Sequence, residues 1–224
     1  MQRWSTKPGS FDALNASRLF PAENALGIPT LHHTPLAAIP DQLVAYRTRI
    51  RSERFDFSRA AVHFFLDDYR FETVWRRPVR ALEHLSKYRI LLTPDFSLYA
   101  NWPLVMQQWN VYRSRWCGRY WQGLGFHVIP SVSWSTPESF AFCFEGLPQN
   151  SVVAVSAVGV NLNSPRLRAS FMLGFREMVD RVCPTLVLAY GLLPEEAMSL
   201  VSVRTYQTRW AGRMHIHPEV GEKT

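Results

Sequence analysis

Three stretches decide the fold: residues 61–72 read AVHFFLDDYRFE, residues 89–103 read RILLTPDFSLYANWP, and residues 125–134 read GFHVIPSVSW. Each contains a short apolar run with the length of a buried strand, and each run ends in polar residues. Segments with helical periodicity separate the runs. Such alternation indicates parallel strands, whose carboxyl ends meet at one edge of a sheet. The sequence therefore predicts a site at that edge.

The same alternation continues toward the carboxyl terminus and gives about five β/α units. Strands are predicted over residues 62–66, 90–93, 126–129, 152–158 and 186–190, and helices over 70–88, 104–124, 137–144 and 166–182. Alternating strands at 42–51 and 201–206 extend the sheet at both ends. The predicted fold is α/β with a mostly parallel sheet, either open and three-layered or partly closed and barrel-like. A complete eightfold barrel is not expected, because it normally needs about 250 residues and this chain has 224.

Length and local composition predict one domain with two irregular ends. The chain has 224 residues, which suits a single core. Prolines and glycines interrupt any periodic pattern in residues 1–40, which we expect to wrap around the domain. Residues 41–206 are predicted to form the α/β domain. Residues 207–224 are predicted to form a basic tail.

The charge and the cysteine pattern narrow the choice of partner and compartment. The formal charge of +7 comes mainly from arginine, which suits phosphate recognition and makes a nucleotide or nucleic acid a possible partner. Three widely spaced cysteines without a CxxC pattern favour a reducing cytoplasm over a disulfide scaffold or a zinc knuckle. No run reaches the roughly 18 apolar residues of a membrane span. We therefore expect a cytoplasmic protein that does not contact membranes.

Carboxylates follow the first two strands of the series. Asp67 and Asp68 close the first apolar run, and Asp95 follows the second. Neighbouring residues of a strand point to opposite faces, so only one of Asp67 and Asp68 can face a given pocket. Two carboxylates at adjacent strand ends could hold Mg²⁺ or Mn²⁺ or act as general acid and base. Alternatively, one aspartate caps the next helix and another pairs with an arginine.

The segment NVYRSRWCGRYWQ, residues 110–122, interleaves arginines with aromatic side chains on the long helix. Arg113 is the arginine expected to face the site and bind an anion, and Arg115 lies on another stripe of the helix. Arginines beside aromatic rings can bind single-stranded nucleic acid. The alternative is a helix packed through its aromatic side chains, with its arginines paired to aspartates at the strand ends. Further candidates for substrate binding follow the later strands: Ser133, Trp134, Tyr190 and Gly191.

The elements FLDDYRFETVW, TPDFSLYANWP, NVYRSRWCGRYWQGLGFHVIPSVSW and PTLVLAYG, in this order and spacing, resemble a family known as the domain of unknown function numbered 4417. The resemblance covers roughly residues 28–192. It implies an origin in phages, plasmids or other mobile elements, and it brings no established activity. The positions that match the family pattern are Asp67, Asp68, Asp95, Ser97, Arg113, Arg115, Gln122, Trp134, Tyr190 and Gly191.

Two functions from different classes remain open at this point. The first is an enzyme acting on a nucleotide or nucleic-acid phosphate, with the aspartates as the reactive cluster, Arg113 holding the anion, and Trp134 or Tyr190 stacking on the substrate. The alternative is a non-catalytic accessory protein that binds nucleic acid or a protein. An enzyme needs the aspartates and arginines to converge in a pocket. A binding protein needs these arginines on one open face: Arg47, Arg49, Arg113, Arg115 and Arg119.

Overall fold

A computed structural model describes residues 12–35 and 39–208. Strands and helices alternate through this part of the chain. Their bounds are β1 Gln42–Ala45, β2 Ala60–His63, α1 Thr73–Arg76, α2 Pro78–Leu85, β3 Ile90–Leu92, α3 Leu104–Gln122, β4 His127–Ile129, β5 Val152–Ser156, α4 Pro165–Val182, β6 Leu186–Tyr190, α5 Glu195–Met198 and β7 Val203–Tyr206. The first eleven residues and the predicted tail from residue 209 onward lie outside the described residues.

All the strand pairs are parallel, and the strands follow one another in sequence order. One ladder runs β1-β2-β3-β4 and a second runs β5-β6-β7. A single parallel bridge between Ser131 and Ala154 joins the two ladders. Two backbone hydrogen bonds of 2.8 Å flank it, from Val132 to Ala154 and from Ala154 to Pro130. Sequential order with right-handed crossovers places the connecting helices on one side of the sheet.

The helix-free face of the sheet closes around an interior of its own. Every strand contributes buried side chains to this interior, which consists of Leu43, Ala61, Phe65, Ile90, Leu92, Ile129, Val152, Ala154, Leu188, Tyr190 and Tyr206. On the outer face, α1, α2 and α3 pack against β1–β4, and α4 and α5 pack against the second ladder. This arrangement differs from an open three-layer sheet, which would have helices on both faces.

The two edges of the sheet meet through side chains. The Tyr206 hydroxyl donates to the Pro40 carbonyl at 2.6 Å, and Arg204 lies 3.8 Å from Asp41. Within the described residues no ladder joins β1 to β7. The fold is therefore α/β with a parallel, partly closed, barrel-like sheet. This confirms the predicted fold class and, of its two forms, favours the barrel-like one.

The connection between β1 and β2 departs from the predicted pattern. The strand expected over residues 42–51 ends at Ala45, because Arg47 adopts a left-handed conformation with φ of 61° that turns the chain. No α-helix follows. The connection contains only a short 3₁₀ turn at Phe57–Arg59 before β2 begins. The helix predicted over residues 70–88 is divided, since Pro78 starts α2 directly after α1.

The described part of the N-terminal segment lies against the α/β domain. The Trp116 indole donates to the Arg18 carbonyl at 2.8 Å, and the Leu31 amide donates to the Gly146 carbonyl at 2.9 Å. Across residues 12–35 and 39–208, no helix is both long enough and apolar enough to cross a lipid bilayer.

Candidate functional site

A cleft of about 450 Å³ opens at the carboxyl ends of β2, β3, β4 and β5. This is the edge that the sequence predicts, and it is the edge where barrel-like α/β enzymes place their sites. The polar and aromatic residues in its wall are Phe65, Asp67, Arg70, Asp95, Ser97, Tyr99, Ser133, Trp134 and Ser156. A second lobe of about 460 Å³ shares Asp95 and Trp134 and extends toward Leu167 and Phe171 on α4. Both volumes are in the range of small-molecule sites.

Asp95 lines both lobes at the end of β3. Burial raises the pKa of this carboxyl group to about 6, and the negative charge of Asp68 adds to the rise. A hydrogen bond with the Ser133 side chain and the positive charge of Arg115 act in the opposite direction and do not cancel it. Asp95 therefore exchanges its proton near neutral pH, as a general acid or base must.

The other two candidate carboxylates have different environments. Asp67 is exposed on the cleft wall and makes no capping hydrogen bond to the turn that follows it. Asp68 instead accepts hydrogen bonds from the Ser97 amide at 3.1 and 3.2 Å and from the Ser97 hydroxyl at 2.9 Å. Asp67 and Asp95 thus share the cleft. Asp68 holds the segment that follows β3 in place.

Asp67 and Asp95 could supply ligands to a metal ion, but they do not form a complete set of protein ligands. Within residues 12–35 and 39–208, no three His, Cys, Asp or Glu side chains are grouped closely enough to ligate a metal. Mg²⁺ is commonly held by one or two carboxylates together with substrate phosphate oxygens and water. In this protein, Asp67 and Asp95 are the residues placed to supply such carboxylates.

Arg113 does not line the cleft, in contrast to the role expected from the sequence. Its guanidinium donates to both carboxylate oxygens of Glu72 at 3.0 Å and to the Asn110 side chain at 2.6 Å, and it lies over the Phe96 ring at 3.8 Å. Asn110 in turn donates to the Ser97 carbonyl at 2.7 Å. Arg113 therefore supports the cleft wall from behind, through Asn110 and Ser97.

Arg115 is also buried, with 2% of its surface exposed, on another side of α3. It donates to the carbonyls of Ser131 at 3.2 Å and Cys143 at 3.0 Å, and its positive charge acts on Asp95. Burial lowers the pKa of its guanidinium to about 10. Because Arg113 and Arg115 are both buried, they cannot belong to the open arginine face that the binding hypothesis requires.

Trp134 forms the wall between the cleft and α4. Its ring centroid lies 5.2 Å from that of Phe171, and its indole covers Gly174 so closely that an added Cβ at Gly174 would lie 2.2 Å from the ring. The Trp134 side chain also lines both lobes. The predicted Ser97 and Ser133 also line the cleft, and Ser133 bonds to Asp95.

Three further candidates do not line the cleft. Tyr190 is buried in the barrel interior and stacks on Phe65 with centroids 5.4 Å apart. Gly191 has φ of 95°, a conformation that favours glycine, and its amide donates to the Tyr206 carbonyl. Gln122 exchanges two hydrogen bonds of 2.9 Å with the His32 backbone and so fastens the N-terminal segment.

Sequence reasoning missed Arg70 and Tyr99 as cleft residues. Arg70 follows Asp67 by three residues, so a tight turn after β2 brings both to the same wall, but the sequence does not specify that turn. Tyr99 follows Asp95 by four residues on an extended segment. The residue types of Arg70 and Tyr99 did indicate a role in the site, because a cation and an aromatic ring beside strand-end aspartates suit an anionic substrate with a planar part.

Comparison with known proteins adds a family to this geometry. Residues 20–207 match the family model described as Domain of unknown function (DUF4417). The chain belongs to this family. It is 46% identical over 211 residues to the Gene 1 protein of Mycobacterium phage L5, covering 94% of this chain and 91% of the phage protein. The Gene 1 protein of Mycobacterium phage D29 is likewise 46% identical, with 94% and 77% covered. No solved structure matches.

These two phage relatives agree with the association with phages that the family resemblance implies. The family model spans all seven strands and both lobes of the cleft.

Proposed function

We propose that this protein is an enzyme that acts on the phosphate of a nucleotide, either free or as one unit of a nucleic acid, with Asp95 as the proton-transferring group. The observation that carries the proposal is the position of Asp95: a carboxyl group with a pKa of about 6 at the end of β3, facing a cleft of about 450 Å³. Burying a carboxylate with so little compensation costs stability, and such positions concentrate at sites of chemistry.

The cleft contains complementary groups for each part of such a substrate. Arg70 supplies a guanidinium on the same wall as Asp67 and offers a partner for a phosphate. Tyr99 and Trp134 offer ring faces for a base. The lobe that extends to Leu167 and Phe171 is lined mainly by apolar side chains; Asp95 lines both lobes, whereas Asp67 lines only the first.

Asp95 accepts the proton of the water or hydroxyl group whose oxygen attacks the phosphorus atom; as this P–O bond forms, the P–O bond to the leaving oxygen breaks, and that oxygen takes a proton from solvent. Ser133 orients the Asp95 carboxylate through their hydrogen bond. At pH 7 a group with a pKa of about 6 is mostly ionised, so the base is available. In the alternative that uses a divalent cation, Mg²⁺ or Mn²⁺ would be held by Asp67 and Asp95 together with a phosphate oxygen, and Asp95 would then be a ligand and not the base. The cation would neutralise the charge that develops on the phosphate.

The test combines binding and turnover across a panel of ribo- and deoxyribonucleoside mono-, di- and triphosphates and a short single-stranded oligonucleotide. Calorimetry measures binding with and without Mg²⁺ and Mn²⁺, and phosphorus NMR follows changes at the phosphate. We expect Asp95→Asn to retain binding of at least one compound in the absence of metal while losing about 10² to 10⁴ in rate. The matched control is Asp180→Asn, which changes an exposed aspartate on α4.

The expected pH profile adds a second measurement. Activity of the parent protein should fall as the pH drops below about 6, because Asp95 then becomes protonated. The proposal fails if the parent neither binds nor converts any member of the panel under any metal condition. It also fails if Asp95→Asn retains full activity.

A further inference from the structure

The β1–β2 connection leaves a groove on the outer face of the barrel. This connection contains no α-helix, so the loop after β1 and the end of α2 lie side by side without a helix between them. A groove of about 590 Å³ separates them. The lining shares no residue with the cleft at the strand ends, so the groove is a separate feature.

Positive charge is concentrated along this groove. Arg47, Arg49 and Arg51 line one side, and Lys87 lines the other beside the exposed His84. In the described part of the chain, none of the three arginines or Lys87 forms an ion pair, whereas Arg59 on the same connection is paired with Asp41. The acidic neighbours Glu53 and Glu83 are exposed but do not line the groove.

Three aromatic residues lie beneath these charges: Phe57 is half-buried, whereas Tyr46 and Tyr88 are buried, with 4% and 8% of their surface exposed. Phe57 and Tyr88 meet edge to face with centroids 5.2 Å apart, and Tyr46 lies under the Arg47 guanidinium at 5.5 Å. Cations that follow a concave path over aromatic side chains are typical of surfaces that bind single-stranded nucleic acid without sequence preference.

We infer that this groove binds a single-stranded nucleic acid, with Arg49, Arg51 and Lys87 contacting the phosphates and the half-buried Phe57 ring contacting a base. The inference stands apart from the chemistry proposed for the cleft. It concerns affinity for a strand, which the protein would retain with an inactive Asp95.

The test uses the full chain and a fluorescein-labelled oligothymidylate of 15 nucleotides in an anisotropy titration at 50 and 200 mM NaCl. The groove variant combines Arg49→Gln, Arg51→Gln and Lys87→Gln. The matched control combines Arg77→Gln, Arg166→Gln and Arg176→Gln, which removes the same charge from exposed positions outside the groove. All six changes affect exposed side chains, and a thermal melt checks that both variants fold.

We expect the parent to bind more weakly at 200 mM than at 50 mM NaCl. We also expect the groove variant to bind on the order of tenfold more weakly than the parent at 50 mM, with its salt slope reduced by about 2, which corresponds to about 0.7 for each of three lost phosphate contacts. The control should lose less than about threefold. Three results would overturn the inference: no binding by the parent at 50 mM, equal losses in both variants, or equal competition by a duplex or polyglutamate.

Discussion

Asp95 links the stability of the protein to the chemistry proposed for the cleft. Its pKa is about 6 in the folded state, against 3.8 for an ordinary aspartate. A carboxyl group with a raised pKa binds more protons in the folded state between these two values, so folding is less favourable once the pH is above about 6. Two pKa units correspond to about 3 kcal/mol at pH 7. The cleft therefore holds its reactive group at a cost in stability.

Replacing Asp95 by asparagine removes this cost and preserves the size of the side chain. We expect Asp95→Asn to raise the free energy of unfolding at pH 7 by up to about 3 kcal/mol while abolishing turnover. The gain should shrink as the pH falls from 6 to 4, because the parent carboxyl group becomes protonated. Urea unfolding at pH 4, 5, 6 and 7 measures it.

The control for this measurement is Asp180→Asn, an exposed change that should alter stability by less than about 0.5 kcal/mol at any of these pH values. A loss of stability for Asp95→Asn at pH 7 would contradict the argument. It would mean that Asp95 is an aspartate retained for structural reasons.

Individual residues also mark how far the sequence could be interpreted. The strand-end positions of Asp67 and Asp95 follow from the apolar runs before them, and both line the cleft. The direction of Arg113 does not follow from its spacing, because a helix buried on most sides offers several faces. Its partner Glu72 lies 41 residues earlier, on a segment whose position depends on the packing of the whole outer layer.

At the scale of single elements, α3 supports the two central strand ends from outside. Arg113 acts on the segment after β3 through Asn110, and Arg115 acts on the segment after β4 through the Ser131 carbonyl. The interleaved aromatic side chains pack in the same layer: Trp116, Tyr120 and Trp121 are buried. The unusual composition of this helix is therefore explained by packing and support.

A double-mutant cycle tests the buried part of this support, because Glu72 contacts two arginines in different environments. Arg113 lies 3.0 Å from Glu72 with 10% of its side chain exposed, and Arg76 lies 3.5 Å from it with 71% exposed. We expect Arg113→Met to lower the free energy of unfolding by about 2 to 3 kcal/mol, since it leaves Glu72 without its main partner. Arg76→Met should cost less than about 0.5 kcal/mol.

The coupling energy with Glu72→Gln, obtained from denaturant unfolding, should be about 1 to 3 kcal/mol for Arg113 and near zero for Arg76. Equal coupling for the two arginines would show that burial adds nothing to the Arg113 pair.

Most element boundaries follow from the sequence to within two or three residues, because apolar periodicity and proline act locally. For α3 the predicted range is 104–124 and the observed range is Leu104–Gln122. Two segments are exceptions. Residues 137–144, predicted as helix, contain only the 3₁₀ turn Pro137–Ala141. The alternation of apolar and basic residues over 42–51 is typical of a strand, yet Arg47 adopts a φ of 61° and turns the chain, which the alternation does not show.

At the scale of the whole molecule, the ring of strands depends on contacts between its first and last members. The Tyr206 hydroxyl reaches the Pro40 carbonyl, and burial raises the pKa of this hydroxyl to about 12, so it remains a donor throughout the neutral range. Sequence order predicted a series of parallel strands. Periodicity does not show whether such a series curves into a partly closed ring, because this depends on a contact between two residues that are 166 positions apart.

Removing that hydroxyl group tests the contact. Tyr206→Phe should lower the free energy of unfolding by about 1 kcal/mol, because a buried carbonyl loses its donor. Hydrogen exchange should become faster in peptides that cover residues 39–46 and 203–208 and remain unchanged in α3. Tyr69→Phe, at a side chain that is 80% exposed, is the control and should have no measurable effect. Unchanged exchange at both edges would show that the Tyr206 contact does not hold the ring together.

The parallel bridge between Ser131 and Ala154 marks the place where the two halves of the barrel-like sheet meet, and each half has its own outer core. The cleft crosses this seam, with Ser133 on one side and Ser156 on the other. A ligand that contacts both sides would connect the two halves, in addition to the two hydrogen bonds that Ala154 makes with Val132 and Pro130. We therefore expect a bound ligand to make the barrel-like sheet more rigid, because the cleft lies across the place where the two ladders meet.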